Sequence, residues 1–476
     1  MPVISGNDYI KRMNRLKTNI WCDGERILGN IAEHPAFKGA VHSQAALYDM
    51  QKEPDLTDTM TYSSPITGDR VGTSYLQPTT KSDLEKRRIS IQKWAKRNAG
   101  MLGRSPDYMN TMLMSFASSA KLLEGRENCF PDNLVKFYET AREDDLSFTH
   151  TFINPQVNRS PLYFEESEEP IAAKIVGEEN DGLVIKGARL LATQGGMTDE
   201  LLVLSAGGIT DEANSFAFSV PSDTAGLKFI CRESFVYGDS RFDYPLSSRF
   251  EEMDSIVVFD RVKVPWERIF FFKNLEVSNN FQRESAFLPF TLHQIISRQT
   301  IKAGFILGVA EELVQTINID CYEHIQEKMA EIIMMLETME ALLLKSEINA
   351  STDEFGLMRP ELIPLRVANS MFSKMYPRLI EIIQLLGSSG MVTIPTEADF
   401  KSPVREDLEQ YLQSSKHAAD DRVKLFRLAW DLTMSGFGTR QTQYERFFFG
   451  QPNKLSSELY KSYDLTAFTA YTREFW

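Results

Sequence analysis

The chain has 476 residues, 42% of them hydrophobic and 25% charged, the make-up of an ordinary globular protein too long for one simple core. Its 52 basic and 66 acidic residues leave a net charge of −14, which argues against nucleic acid or an anionic membrane as partner. No run approaches the roughly 20 apolar residues of a membrane helix, and MPVISGNDYIKRMNRLKTNIW has no signal-peptide core, so the cytoplasm is the expected location.

From about Gly6 to Phe148 the pattern predicts helices. Ser82 with Glu85 three residues on has the form of a capping box and should open a helix running toward Lys96. Ser105 and Pro106 mark another start, because proline suits the first helical position. Asp107 adds negative charge where the helix dipole favours it. A third helix is expected from Asp132, through NLVKFYETARE. Near Thr149 the pattern changes. AAKIVGEENDGLVIKGARLLAT, ELLVLSA, SFAFSVP, LKFICRE and SIVVFDRVKVP read as short strands separated by Gly, Asp and Asn.

After Phe271 helical periodicity returns. TLHQIISRQTIKAGFILGVAEELVQTI, HIQEKMAEIIMMLETMEALLLKSEINA and LIPLRVANSMFSKMYPRLIEIIQLLGSSG are long and amphipathic, and the stretch from Arg405 to Gly436 reads as the last long helix. Their wide apolar stripes imply burial against each other or against other subunits. The expected fold is therefore α+β. It has a helical domain over 1–148, an antiparallel β-barrel domain over 149–272 and a helical, oligomer-forming domain over 273–476. Four scattered cysteines, Cys22, Cys129, Cys231 and Cys321, read as buried free thiols, and neither they nor the six histidines have metal-ligand spacing.

Several residues carry possible chemistry. Arg104 and Tyr108, four apart at a helix start, can reach one side of that helix end and donate to one oxygen anion. His150 stands where helices give way to strands. It can shuttle a proton, accept one from a phenol or bond a cofactor. Each has a plain alternative: a surface cation on a carboxylate, a packing residue, a structural histidine. The PQVNR segment, with Gln156, Asn158 and Arg159, fits the polar edge of a flavin or a diphosphate, or simply a hydrogen-bonded turn. Thr193, at a strand end, can reach a flavin ring or close a turn. GFGTRQTQYERFFFGQPNK and QLLGSSG read equally as ligand loops or helix stops.

The order helices, strands, helices resembles that of the acyl-CoA dehydrogenases. A more specific likeness runs nearly end to end: EHPAFKG, GRSPDYMN, THTFINPQVNRS, GARLLATQGG, YPLSSRFEEMDSIVVFD, VPWERIFF, YPRLIEIIQLLGSSG, PTEADF and GTRQTQYERFFFGQP. On this ordered set the chain resembles the oxygenase components of the two-component, FAD-dependent phenol hydroxylases of the 4-hydroxyphenylacetate type. The resemblance implies a separate reductase that supplies diffusible reduced FAD. It implies reaction with O2 to a flavin 4a-hydroperoxide, and ortho-hydroxylation of a para-substituted phenol to a catechol. It implies that Arg104, Tyr108 and His150 surround the phenol oxygen and that Ser205 lies where the substrate's acid end binds. FAD contacts are implied for His150, Thr151, Phe152, Gln156, Val157, Asn158, Arg159 and Thr193, and for Phe449, Gly450, Gln451 and Pro452 near the C-terminus. It implies a homotetramer. Ser205 is followed by Ala206, Gly207 and Gly208 where a second hydroxyl residue is expected, so the phenol stays unassigned.

Other flavoproteins of this fold fit less well. A 4-hydroxybutyryl-CoA dehydratase needs three cysteines and a histidine for its cluster. Here His293 is followed seven residues on by Thr300, and no cysteine lies near Arg104. An acyl-CoA dehydrogenase needs a glutamate base over the flavin, and nothing marks Glu381 or its neighbours as one.

Overall fold

The structure, a computed structural model, describes residues 3–157, 169–205 and 207–476. The N-terminal stretch forms α1 (Gly6–Arg15), α2 (Lys38–Met50), α3 (Thr57–Met60), α4 (Lys81–Arg97), α5 (Pro106–Ser118) and α6 (Pro131–Asp144). Among them run β1 (Ile20–Cys22), β2 (Glu25–Arg26) and the hairpin of β3 (Thr61–Ser63) and β4 (Arg70–Gly72). The strand-rich part holds β5 (Phe148–Thr151), β6 (Lys174–Glu179), β7 (Gly182–Thr193), β8 (Glu200–Val203), β9 (Phe216–Pro221) and β10 (Leu227–Cys231). A short α7 (Ser247–Phe250) precedes β11 (Asp254–Pro265) and β12 (Ile269–Phe272).

The helix expected to be capped by Ser82 is capped two residues earlier, by Thr80. Thr80 has the extended backbone of a cap; its hydroxyl accepts from the Asp83 N–H at 3.1 Å while Asp83 Oδ2 accepts from the Thr80 N–H at 2.9 Å. Ser82 already lies inside α4. Ser105 and Pro106 do open α5, and α6 begins at Pro131, one residue before the predicted Asp132.

The expected closed antiparallel barrel does not form. The strands make two open sheets, ordered β2-β1-β10-β11-β7-β6 and β12-β9-β8-β5. A barrel requires its last strand to bond its first, whereas β2 and β6 end one sheet and β12 and β5 end the other. Pairing is also mixed, with β1 parallel to β10 and β5 parallel to β8. The inner faces meet instead of closing. Leu183, Ile185, Val257 and Phe259 from one sheet share a buried cluster with Leu201, Val203, Phe216 and Phe218 from the other. Along β11 the buried-exposed alternation breaks where a register shift lies between Phe259 and Val262, and Arg261 there has a φ of 54°.

The remaining helices are α8 (Leu275–Glu284), α9 (Phe287–Thr316), α10 (Glu323–Ile348), α11 (Leu362–Gly387), α12 (Arg405–Tyr411), α13 (Ala419–Thr433), α14 (Gly436–Phe447), α15 (Pro452–Ser462) and α16 (Thr466–Arg473). The single helix expected from Arg405 to Gly436 breaks into α12 and α13, because Ser414 turns its hydroxyl to the His417 N–H at 2.9 Å and bonds the backbone locally. QLLGSSG does end α11, but GFGTRQTQYERF is helix α14, capped by Ser435, whose hydroxyl accepts from the Gly438 N–H at 3.0 Å. Cys22 and Cys231 are buried, but Cys129 is half-buried and Cys321 exposed, so the expectation of four buried thiols holds for two.

The chain separates into two compact units, Met1–Gln294 with Thr352–Arg359, and Ile295–Ser351 with Pro360–Trp476. Within the second, α9 and α14 are joined by a buried ionic cluster. Glu445 accepts from Arg298 at 2.6 and 3.0 Å, from Lys302 at 2.9 Å and from Gln299 at 3.0 Å. No helix among the described residues is long and apolar enough to cross a membrane.

Candidate active site

The site grows from the start of α5 and the strand β5, both in the first unit. Pro106 fixes the first turn of α5, so Arg104 sits just outside the helix and Tyr108 one turn in. The Arg104 guanidinium carbon lies 4.5 Å from the centre of the Tyr108 ring. The Tyr108 ring centre is 5.9 Å from that of His150, which is itself 4.4 Å from that of Phe152. All three polar residues are buried: Arg104 is 6% exposed, Tyr108 2% and His150 5%.

The orientation of His150 follows from strand periodicity. Thr149 and Thr151 both point to β7, where their hydroxyls donate to the carbonyls of Thr193 at 2.5 Å and Leu190 at 2.9 Å. His150, between them, faces the other way, toward α5.

Burial and, after it, the charge of Arg104 hold the His150 imidazole well below the ordinary histidine range, so it is neutral at pH 7. Burial pushes the Tyr108 phenol up to about 12, opposed by Arg104, so it stays a hydroxyl donor. A cation, a hydroxyl donor and a neutral imidazole therefore converge. That set can bind a phenol oxygen, favour its anionic form and accept its proton.

The residues also fit a flavin. His150 Nδ1 is buried with no hydrogen-bond partner among the described residues, as expected of a group completed by a ligand. Ile153, Val157 and Leu191 are apolar yet exposed, the last two by 55% and 53%. Ile153 itself bridges to Leu190, three residues before Thr193 along the strand, and Leu191 follows it. Exposed apolar side chains gathered beside convergent polar groups suit a flat heterocycle.

The other predicted residues are distributed as follows. Phe152 is half-buried and Gln156 exposed, both on the segment after β5. Thr193 is buried, and its hydroxyl donates to Asp254 at 2.7 Å. Ser205 is buried after β8; its hydroxyl donates to the Asn214 carbonyl at 3.1 Å and its own carbonyl accepts from Gln282. Asn158 and Arg159 lie outside the described residues. Phe449, Gly450, Gln451 and Pro452 belong to the second unit, at the joint between α14 and α15, where Gly450 has a φ of 126°.

Three supporting residues escaped the sequence reading. Gln44 donates to the Arg104 carbonyl at 2.8 Å. Glu252 accepts the N–H groups of Gly103 at 2.9 Å and Arg104 at 2.6 Å. Arg189, fully buried in β7, donates to the Asn154 side chain and lies 3.5 Å from the Phe152 carbonyl. Glu252 left a signal: an acidic pair directly before an apolar strand, in FEEMDSIVVF.

Known proteins resemble this chain along nearly its whole length. Residues 5–271 match the family described as 4-hydroxyphenylacetate 3-hydroxylase N terminal, and residues 278–476 match its C-terminal counterpart. A probable 4-hydroxyphenylacetate 3-monooxygenase of Bacillus subtilis (strain 168) is 59% identical over 97% of this chain and 96% of its own. The crystal structure of a 4-hydroxyphenylacetate 3-monooxygenase oxygenase component complexed with FAD and 4-hydroxyphenylacetate has a TM-score of 0.94 at 41% identity, covering 99% of this chain and 98% of that one. An acyl-CoA dehydrogenase from Geobacillus kaustophilus shares the fold alone, with a TM-score of 0.51 at 12% identity over 82% of this chain and 87% of that one.

Proposed function

The chain belongs to the 4-hydroxyphenylacetate 3-hydroxylase family, and we propose that Arg104, Tyr108 and His150 hold the phenol oxygen on which its chemistry depends. It is the oxygenase component of a two-component system, using O2 and FAD reduced by a separate partner to hydroxylate a phenolic substrate. The substrate is 4-hydroxyphenylacetate or a close para-substituted phenol, and the product its catechol. The single observation that carries the site assignment is the buried juxtaposition of guanidinium, phenol and imidazole, with Arg104 4.5 Å from the Tyr108 ring centre and His150 5.9 Å from it.

Reduced FAD, when bound, supplies with O2 the electrophilic oxygen atom. The chain's own residues prepare the phenol. Arg104 and Tyr108 donate to the phenol oxygen, and neutral His150 accepts its proton. The negative charge so favoured enriches the ring carbon ortho to that oxygen for electrophilic attack. Donors aimed at such an oxyanion in a dry site are worth roughly 3–4 kcal/mol each. Thr151, Phe152, Gln156, Val157 and Thr193, all in the first unit, would hold the flavin. Ser205 receives the acid end of the substrate.

The finer organisation is part of the same proposal. Reduced FAD reaches the protein by diffusion from the reductase, in the cytoplasm. Helical, strand-rich and helical parts divide near residues 148 and 272, and the junction of the two matched family halves, between 271 and 278, supports the second boundary. Exposed aromatic residues on α15, on α16 and just after it, among them Tyr460, Phe468, Tyr471 and Trp476, support a homotetramer that covers them.

The test is direct. The protein is mixed with a flavin reductase, NADH, FAD and a panel of para-substituted phenols, and products are separated. Catechol is expected from 4-hydroxyphenylacetate or a near analogue. If every phenol is returned intact and all NADH ends as hydrogen peroxide, the reading is wrong.

A further inference from the structure

We propose that Glu252 is a positioning residue that sets the spacing between the phenol-holding and flavin-holding halves of the site. This rests on the reading above, in which Arg104 serves the phenol and Thr193 the flavin. Glu252 lies between α7 and β11 and is 1% exposed. Its Oε1 accepts the Arg104 N–H at 2.6 Å, and its Oε2 the Gly103 N–H at 2.9 Å. Gln194 Nε2 donates to the same Oε1 at 3.2 Å.

The neighbours of Glu252 extend the grip. The Gln194 N–H donates to the Met253 carbonyl at 3.0 Å, and the Thr193 hydroxyl to Asp254 at 2.7 Å. Three consecutive residues, Glu252, Met253 and Asp254, thus hold the loop before α5 on one side and the Thr193–Gln194 turn on the other. Two of the residues involved carry backbone strain. Gln194 has a φ of 62° and Met253 a φ of 57°, a region that side-chain-bearing residues rarely adopt unless surrounding bonds fix it. A carboxylate is the fitting group at the centre because it accepts two N–H donors at once and donates none. An amide of the same shape accepts on one atom only and turns N–H groups toward the other donor.

The consequence is a specific failure. Loosening this clamp lets the phenol and the flavin drift apart, and a displacement of about 1 Å at a reacting centre is enough to cost two orders of magnitude in rate. Reduced flavin then consumes O2 without a substrate in reach, and the oxygen leaves as hydrogen peroxide.

The experiment compares the full-length protein with Glu252→Gln and Glu252→Asp, in the presence of flavin reductase, NADH, FAD and 4-hydroxyphenylacetate. Four quantities are read: catechol formed per NADH, peroxide released, the dissociation constant for FAD by fluorescence, and the melting temperature. The expected result is a fall of about tenfold in catechol per NADH with a matching rise in peroxide. FAD affinity should stay within about threefold and the melting temperature within about 4 °C of the parent. Glu252→Asp, which keeps the charge but withdraws it by about one bond length of about 1.5 Å, should fall between Glu252→Gln and the parent. Coupling equal to the parent in both variants overturns the proposal. So does coupling that falls only in step with melting temperature, or failure of both variants to fold, since either makes Glu252 merely structural. Arg104→Ala in the same assay separates the two levels of inference. If it hydroxylates normally, the site reading fails; if it is inactive while Glu252→Gln is normal, only the role of Glu252 fails.

Discussion

His150 shows what the site does at the scale of one residue. It is sequestered beside a cation and kept neutral, so it can take a proton only when something else in the pocket becomes negative. Replacing it with alanine is expected to leave NADH oxidation running while peroxide rises and catechol falls; normal rate and coupling would make it structural. Arg104→Ala removes the cation and should lower hydroxylation by roughly a hundredfold or more while FAD still binds. The imidazole also leaves a mark on folding. A group held below its unfolded value is protonated first in the unfolded chain, so its contribution is complete above about pH 6.5 and shrinks as pH falls below that. Between pH 7 and pH 5 the parent should lose more urea-midpoint stability than His150→Asn. An identical loss in the two proteins would contradict the desolvation of His150.

Elements hold these residues in place by means unequally visible in sequence. Within the second unit the buried Glu445 cluster ties α14 to α9. Glu445→Ala would leave Arg298 and Lys302 facing each other without their counter-charge, and Lys302, already lowered to about 8 by burial, would be the first to shed its proton. A cost of about 3–5 kcal/mol is expected, seen as a large drop in urea midpoint; a change within error would mean that the cluster adds nothing. Ser105 and Pro106 advertised the start of α5, and with it Arg104 and Tyr108, because helix starts have a local chemistry. The barrel was misjudged for the opposite reason. Alternation reports which face of a strand is buried, not which strand lies beside it, and β1 reaches its parallel neighbour β10 from about 200 residues away in the chain. Glu252 was hidden in the same way. The acidic pair before the strand marks the place, but the partners that explain its burial meet it only in three dimensions: Gly103 and Arg104 for Glu252, and Arg232 for Glu251.

At the scale of the whole molecule, apolar side chains on α15, on α16 and just after it are exposed, with Phe468 at 57% and Trp476 at 88%. Removing residues 464–476 is expected to turn the proposed tetramer into a smaller, less stable species in sedimentation experiments; an assembly state indifferent to the deletion would place the contacts elsewhere. The molecule also divides its tasks between rigid and adaptable ground. Along β5, neighbouring positions serve opposite faces, the threonines anchoring and the histidine reaching inward. Slipping that strand by a single step would exchange imidazole for hydroxyl, so its alignment admits no gradual retuning. The turn after β8, carrying Ser205 and two glycines, is under no such rule. On the proposed reading, in which that turn receives the substrate's acid end, descendants of this protein can explore new aromatic acids there while inheriting the phenol-holding end unchanged.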